Sequence, residues 1–525
     1  MTAVPVVIVG AGPTGVTAAM LLAQYGVECL VLDKSEGIHP LPRAVHLDDE
    51  VYRILARLGL GAEFAAISWP GQGLRLVDRD HRVLAEFQRD TVRGRHGYPQ
   101  ANMFDQPELE ALLRVASRRF GHLTIRQNAR VTALTQHDGG VRVDVTDIAT
   151  GEEAPVLAEY VLGSDGANSS VRAWIGATMR DLGFTQRWLV VDVATTASLD
   201  QWEGAHQVCD PGRPATYMRV GKTRYRWEFR LNPGESAEDY REIGRLHPLI
   251  APWTRDIPAA ELEVIRLAEY TFRAQVASRW RDRRVFLLGD AAHLTPPFIG
   301  QGMGAGTRDA LNLAWKLAGV LAGTLPRSVL ATYEAERKPH ATAMIRLAKL
   351  IGTAMTEGGE FGNVLRRAVV PRLRLLPGFK DQILSSQTPA LHRSELVLRP
   401  RLRGGLAGSL CPNAELDDGR RLDEVTAGRF AIITTVRPPD ALAAAIQRGG
   451  GVVLTAGQDS ELHRWLRGQR AIAAVIRPDG TVLRAGRDLA AVCAALPSRI
   501  DDRELLRPTQ LILLLVRTRA WSGLV

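Results

Sequence analysis

Three short runs of this sequence hold residue types whose spacing suits the binding of a large phosphorylated ligand. Gly10, Gly12 and Gly15 follow the spacing G-x-G-x-x-G. Gly10 permits a tight turn, Gly12 lets the main chain approach a pyrophosphate, and Gly15 lets a helix pack close to a strand. The helix start that follows offers free N–H groups and a positive dipole end to phosphates. Asp33 stands at the spacing of an acid that binds ribose hydroxyls. The second run, VLGSDGANSSVR (Val161–Arg172), turns at Asp165-Gly166, and Ser169 or Ser170 is suited to cap the helix that follows. In the third, LLGDAAHLTPPFIGQGMGAG, Asp290 follows an apolar run and could accept hydrogen bonds from a polyol chain. Pro296-Pro297 stiffens the backbone, and Gly300, Gly302, Gly304 and Gly306 leave room for a flat ligand. Candidate proton acceptors by type are His46, Tyr217, Tyr225, Arg226 and His293, with His293 also readable as structural.

These residues need particular elements to position them. Val6–Val9 reads as a strand buried on both faces, Thr14–Tyr25 as a helix and Val27–Leu32 as a second buried strand. That is one βαβ unit. From Asp181 to Tyr270 the pattern alternates, as in an antiparallel sheet. In TRYRWEFRLNPGE, Tyr225, Trp227 and Phe229 share one face, and Arg224, Arg226, Glu228 and Arg230 share the other. Tyr225 and Trp227 either line a pocket or fill the sheet core. A buried strand returns at Val285–Leu288, and a helix is expected from Thr307, with Leu311, Ala314, Trp315 and Ala318 on one face. Arg, Leu and Pro dominate the stretch from Phe361 to Arg403, read as helices and a linker. A small α/β unit follows, with a hairpin at Pro478-Asp479-Gly480 and a helix in DLAAVCAAL.

With 525 residues the chain has room for two or three domains. Its net charge of +9 comes without a basic stripe interleaved with aromatics, so nucleic acid is not an expected partner. Cys29, Cys209, Cys411 and Cys493 are far apart and form no C-x-x-C, so neither a zinc site nor a disulfide framework is indicated, which fits a reducing cytoplasm. No basic leader precedes the first strand, and LILLLV (Leu511–Val516) is too short to span a bilayer, so no membrane association is expected. That run reads as a buried strand or helix.

Taken in order, the glycine, Asp-Gly and Gly-Asp motifs resemble the class A, single-component, FAD-dependent aromatic hydroxylases, the para-hydroxybenzoate hydroxylase superfamily. The likeness is nearest to 3-(3-hydroxyphenyl)propionate hydroxylases and the related phenol and polyketide hydroxylases. PRAVHLDDEVYRILARLGL, NMFDQPELEALL and YRWEFRLNPGE resemble the family's arginine, glutamine and substrate-strand segments. The resemblance implies an α/β fold with a Rossmann-like FAD-binding domain at 1–180 and 271–360. It further implies an interleaved antiparallel substrate sheet at 181–270, a helical linker at 361–404 and a thioredoxin-like domain at 405–525. Cys411 and Cys493 form no redox motif, so that last domain would serve structure or homodimer contacts.

By the same resemblance, Gly10, Gly12, Gly15, Asp33 and Lys34 hold the ADP half of FAD. Arg43 and Gln106 approach the pyrophosphate and ribityl chain, with a surface salt bridge and a helix start as their plainer readings. Asp165 lies near the pyrophosphate, and Asp290 binds the ribityl. Pro297, Gly300, Gly302 and Met303 line the isoalloxazine. Catalytic candidates are Arg43, His46, Tyr225 and Pro297; substrate candidates are Tyr217, Arg226, Trp227 and Pro296. The implied reaction uses NADPH or NADH as a transient co-substrate, and oxygen passes from a C4a-hydroperoxyflavin to a carbon ortho or para to a phenolic hydroxyl. A larger polycyclic substrate is the alternative; a non-catalytic flavin protein is disfavoured by the intact motifs. The single G-x-G-x-x-G unit argues against two-dinucleotide-domain flavoenzymes, since no separate nicotinamide domain follows.

Overall fold

The computed structural model describes residues 2–40, 43–356, 388–399 and 405–497. The expected linker at 361–404 lies largely outside them, and Leu511–Val516 lies wholly outside them. The chain forms two compact units. One gathers Met1–Ala23, Glu28–Ala310 and Ala341–Thr388; the other gathers Gln24–Val27, Leu311–His340 and Pro389–Val525.

Strands are numbered in chain order. In the first unit, β1 (Thr2–Val9), β2 (Cys29–Leu32), β8 (Leu123–Arg126), β11 (Glu153–Gly163) and β18 (Val285–Leu287) form a parallel sheet, with the short β17 (Arg281–Asp282) at its edge. The order is β17-β18-β11-β1-β2-β8, and β9 (Ala129–Gln136) and β10 (Val141–Asp147) form an antiparallel ribbon off β11. Val6, Val7 and Ile8 are fully buried, as the continuous β-branched run requires of a strand covered on both faces.

A second sheet runs β19-β16-β12-β15-β14-β13-β5-β6. Its long strands are β12 (Met179–Ala194) and β16 (Glu263–Ala277), joined by β13 (Ala205–Val208), β14 (Ala215–Arg219), β15 (Arg224–Arg230) and the short β19 (His293–Leu294). The hairpin β5 (Gly73–Val77) and β6 (Val83–Gln88) joins through a parallel pairing of β13 with β5. Sequence position groups this hairpin with the cofactor domain; backbone pairing puts it in the substrate sheet. One face of the sheet forms a core with the helix Ile243–Thr254, in which Leu189, Val191, Tyr217, Trp227 and Trp253 are buried. A three-stranded sheet, β3 (His46–Asp48), β7 (Ala101–Phe104) and β4 (Ser68–Pro70), completes the unit.

In the second unit a four-stranded sheet runs β21-β20-β22-β23: Val452–Thr455, Ala431–Thr434, Ala473–Ile476 and Val482–Gly486. β20 and β21 are parallel, while β22 is antiparallel to both β20 and β23. The β22–β23 hairpin turns at Gly480, whose φ of 80° lies in the left-handed region that glycine tolerates. Trp315 packs in this unit's core with Ile432, Val475 and Leu483.

Candidate active site

Strand order is what assembles the site. β2, β1, β11 and β18 are neighbours and parallel, so their carboxyl ends line one edge of the sheet. Asp33 follows β2, Gly10 follows β1, Asp165 lies two residues beyond β11, and Asp290 three beyond β18. This is the edge at which open α/β sheets bind ligands.

The glycine turn is tight where protein meets protein and open where a ligand would lie. Gly10 has φ of 102°, and a Cβ there would fall 2.5 Å from the Ser164 carbonyl oxygen. A Cβ on Gly15 would fall 2.0 Å from the Gly10 carbonyl oxygen. At Gly12 nothing lies within 4 Å. Ser164 Oγ donates to the carbonyls of Val9 and Gly10 at 3.0 Å each, joining the second motif to the first. Asp33 accepts from the Ala11 N–H at 2.6 Å and the Ser35 N–H at 2.7 Å, so its carboxylate is fixed against the turn. Lys34 is exposed next to it. Asp165 accepts from the N–H groups of Ser170 and Val171 at 2.7 and 3.1 Å and from Ser169 Oγ. Ser169 is the N-cap of the helix Ser170–Trp174. Arg172 reaches from that helix to the Ala291 carbonyl at 3.0 Å, tying the second motif to the third.

The glycines of the third motif divide the same way. The helix begins at Gly302, five residues before the expected start at Thr307, and runs to Leu321. Gly304 and Gly306 therefore lie inside it and serve protein packing, not ligand approach. A Cβ on Gly306 would fall 2.2 Å from Thr14 Oγ1, and one on Gly304 would fall 2.9 Å from Val51 Cγ2. Gly302 faces open space. Gly300 adopts φ of 61°, and a Cβ there would lie 2.6 Å from His46 Nδ1. The structure thus brings His46 onto the Pro297–Gly300 turn. Burial lowers the His46 pKa, so its imidazole is neutral near pH 7. Pro296 is buried, Pro297 and Met303 are half-buried, and Asp290 is exposed at the sheet edge. His293 is fully buried with Nε2 2.8 Å from Asp309 Oδ2, which also accepts from the Gly289 N–H at 3.0 Å. Its role is to brace the Gly289-Asp290 turn.

Arg43 is exposed and makes no ion pair among the described residues, but its backbone is held on both sides. Gln106 Oε1 accepts from the N–H groups of Arg43 and Ala44 at 3.1 and 2.6 Å. Gln106 therefore positions the Arg43 segment, while its amide nitrogen donates to Glu110 at 2.7 Å. From the other side Arg226 donates to the Arg43 carbonyl at 3.0 Å. Arg226 is buried and bidentate to Asp192, at 2.6 and 2.9 Å.

Arg226 shows which side of β15 faces the cofactor edge. Tyr225, Trp227 and Tyr217 are 6%, 0% and 2% exposed and pack in the core with Trp253. The open choice between pocket and core thus falls to the core: these rings are not pocket walls, and the charged side of the strand faces Arg43. Trp188, on the same side of β12 as Val190 and Asp192, packs its ring 5.9 Å from Phe298 of the 297–299 turn.

Sequence reasoning passed over several contributors. Gln301 Nε2 donates to Asp48 at 2.8 Å, and Arg308 is held by Asp48 and Glu50 at 2.5 and 2.9 Å. The run Asp48-Asp49-Glu50, adjacent to His46, was the signal. Arg114, eight residues beyond Gln106 and on the same helical face, reaches the Ala11 carbonyl at 3.3 Å. Asp49 is the member that makes no ion pair among the described residues: it accepts from the His96 N–H at 3.2 Å. Burial, with the charge of Asp48 added, pushes its carboxyl up to about 8. The folded chain therefore keeps this proton between pH 4 and 8 where the unfolded chain has lost it, and stability falls as pH rises through that window. Asp49→Asn should flatten the decline in melting temperature between pH 5 and 8; a decline as steep as the parent's would refute the assignment.

The residues fit FAD: a Gly12 and a Gly302 open to a ligand, acids at three of four adjacent strand ends with the glycine turn at the fourth, and a stiff proline turn. A parallel dinucleotide sheet whose site faces the polar side of an antiparallel sheet defines an FAD-dependent aromatic hydroxylase of class A. Residues 3–348 match the family model described as FAD binding domain, and the chain belongs to that family. It is similar to the 3-(3-hydroxy-phenyl)propionate/3-hydroxycinnamic acid hydroxylase of Burkholderia cenocepacia (strain HI2424), at 38% identity over 432 residues, 82% of this chain and 78% of that one. It is also similar to the "Probable NADH-specific resorcinol 4-hydroxylase" of Rhodococcus jostii (strain RHA1), at 32% identity, covering 95% of this chain and 96% of that one. Among solved structures, a ternary complex of aklavinone-11 hydroxylase with FAD and aklavinone matches with a TM-score of 0.78 and 25% identity, covering 93% and 96% of the two chains. The protein is a single-component flavin monooxygenase that uses NAD(P)H and dioxygen to hydroxylate an aromatic compound.

Proposed function

We propose that the substrate is a small monocyclic phenol, hydroxylated ortho or para to its hydroxyl. The observation that carries this reading is the polar face of β15 and β12, which meets the Arg43 segment through Arg226 and the 297–299 turn through Trp188. A ring held between that face and the flavin has its hydroxyl among charged groups and its carbons toward the cofactor. The relatives named for resorcinol and for hydroxyphenylpropionate support the same size class. FAD, when bound, activates dioxygen and supplies the electrophilic oxygen. Gly10, Gly12, Gly15, Asp33 and Lys34 hold its ADP half, and Arg43, Asp165 and Asp290 its pyrophosphate and ribityl. Pro297, Gly300, Gly302 and Met303 border the ring, Pro296 closes the wall, and neutral His46 lies within reach of the reacting edge.

The full organisation belongs to the same reading. The FAD-binding domain takes 1–180 and 271–360 apart from the β5–β6 hairpin, the substrate sheet 181–270, a linker 361–404 and a thioredoxin-like domain 405–525. The mixed β21-β20-β22-β23 order supports the last assignment. That domain would serve dimer contacts in a cytoplasmic enzyme. No described helix is long and apolar enough to cross a membrane.

A screen of resorcinol, 3-(3-hydroxyphenyl)propionate and a polycyclic phenol, run with NADH and with NADPH, tests the proposal. Coupled product formation with a monocyclic phenol is expected. Turnover of the polycyclic compound alone would favour the likeness to aklavinone-11 hydroxylase.

A further inference from the structure

On the polar face of the substrate sheet, Asp192, Arg226 and Arg266 form an ion-paired cluster with one positive charge in excess, and a second carboxylate, Glu228, lies beside it without joining its hydrogen bonds. Asp192 is fully buried and takes both Arg226, at 2.6 Å, and Arg266, at 3.6 Å. Glu228 lies on the same face of β15 as Arg226, two residues on, and is 8% exposed. Among the described residues it makes no hydrogen bond and no ion pair. Arg226 and Arg266 offset its charge through space, but a carboxylate so nearly removed from water without a hydrogen-bond donor is still costly. Such a group is retained where a ligand supplies the missing donor.

Its position says which ligand. Glu228 pairs across the sheet with Val190 of β12 and Thr216 of β14. Val190 shares its face with Trp188, whose ring meets Phe298 of the proline turn. Arg226 reaches the Arg43 carbonyl. Glu228 therefore looks into the space bounded by the two segments assigned above to the flavin. We infer that Glu228 is the catalytic residue that accepts the phenolic O–H of the substrate; this rests on the function proposed above. The proton passes from the phenol oxygen to a Glu228 oxygen, and the electron pair left behind enriches the ring carbons ortho and para to it. The ring carbon then forms its bond to the oxygen derived from dioxygen and loses its hydrogen as a proton on rearomatisation. A proton returns from Glu228 to the phenolate oxygen, while NAD(P)H supplies the two electrons that reduce the second oxygen atom to water.

The charged surroundings suit the task. Burial raises the Glu228 carboxyl pKa and Asp192 adds to it, against Arg226 and Arg266. These three, with Arg224 and Arg230 on the same face of its strand, are the charged groups around it on its own and the neighbouring strands among the described residues. A base brought nearer to a phenol's pKa transfers the proton more readily.

Glu228→Gln and Glu228→Asp test the inference with resorcinol and 3-(3-hydroxyphenyl)propionate. General-base loss corresponds to about a hundredfold or more in kcat. The expected result for Glu228→Gln is such a fall, with KM changing far less, the acid limb of the kcat–pH profile abolished, and NADH oxidation diverted to hydrogen peroxide. Glu228→Asp keeps the limb at reduced kcat, and serves also if the glutamine variant fails to fold. An unchanged kcat–pH profile, or a rise in KM alone, overturns the inference. Bound 4-nitrophenol, whose colour reports its ionisation, tests the contact without turnover. Its ionisation should occur at lower pH in Glu228→Gln than in the parent, and identical titrations overturn the inference. A parent enzyme that hydroxylates neither monocyclic phenol, while the nitrophenol titration still depends on Glu228, overturns the proposed substrate class alone.

Discussion

Gly15→Ala should yield a colourless protein that retains less than about a tenth of the parent's FAD. The added Cβ would fall 2.0 Å from the Gly10 carbonyl oxygen and 2.6 Å from Ser164 Oγ. Neither neighbour is free to yield. The Gly10 carbonyl belongs to a turn at φ of 102°, and Ser164 Oγ is bonded to the carbonyls of Val9 and Gly10. The helix Pro13–Gln24 must therefore move off β1, and its N-terminal N–H groups leave the place where a pyrophosphate would meet them. Gly12→Ala is the contrasting case. Nothing lies within 4 Å of its Cβ, so the apoprotein should melt as the parent does while FAD affinity falls, because only the ligand meets the new methyl. Visible flavin absorbance and a titration of apoprotein with FAD separate the two. A Gly15→Ala protein that purifies yellow, with parental affinity, would refute this account of the turn.

Glu336→Gln should destabilise the second unit by about 3–5 kcal/mol, the range for removing one partner from a buried charge network. Glu336 is fully buried and accepts from Lys316 Nζ and Asn312 Nδ2 at 2.8 Å each, from Arg477 at 3.0 Å and from Ser394 Oγ at 2.6 Å. Arg477 also pairs with Asp479 in the β22–β23 hairpin. Two buried cations thus face two carboxylates, and the glutamine leaves one cation uncompensated. Burial opposes ionisation of Glu336, but Arg477 and Lys316 outweigh it and hold the carboxyl down at about 2. Its contribution is therefore present above the ordinary glutamate range and is lost as pH falls toward 2. Hydrogen exchange over β20, β22 and β23 reads the effect on this unit separately from the flavin site. Lys316→Met combined with Glu336→Gln should recover part of the loss by removing the stranded charge. A single variant with parental exchange protection would show that the network is not the unit's main tie.

The sequence by itself determined the chemistry of each turn. G-x-G-x-x-G after a β-branched run needs only local geometry, so Gly10, Gly12, Gly15 and Asp33 were legible without any long-range contact. The same holds for the Ser169 cap and for the hairpin at Gly480. What lay beyond reach was every choice between equivalent faces or partners. An alternating strand has two sides, and alternation does not say which one meets the cofactor. Trp227 and Tyr217 went to the core because the helix Ile243–Thr254 brings Trp253 to their side, leaving Arg226 and Glu228 to the site. Glycines in a helix start look like room for a ligand until the neighbours are known: Gly306 yields its space to Thr14, nearly three hundred residues earlier in the chain. Only the tertiary structure decided that three distant acids share one sheet edge, since parallel neighbours are set by crossover packing and not by any local signal.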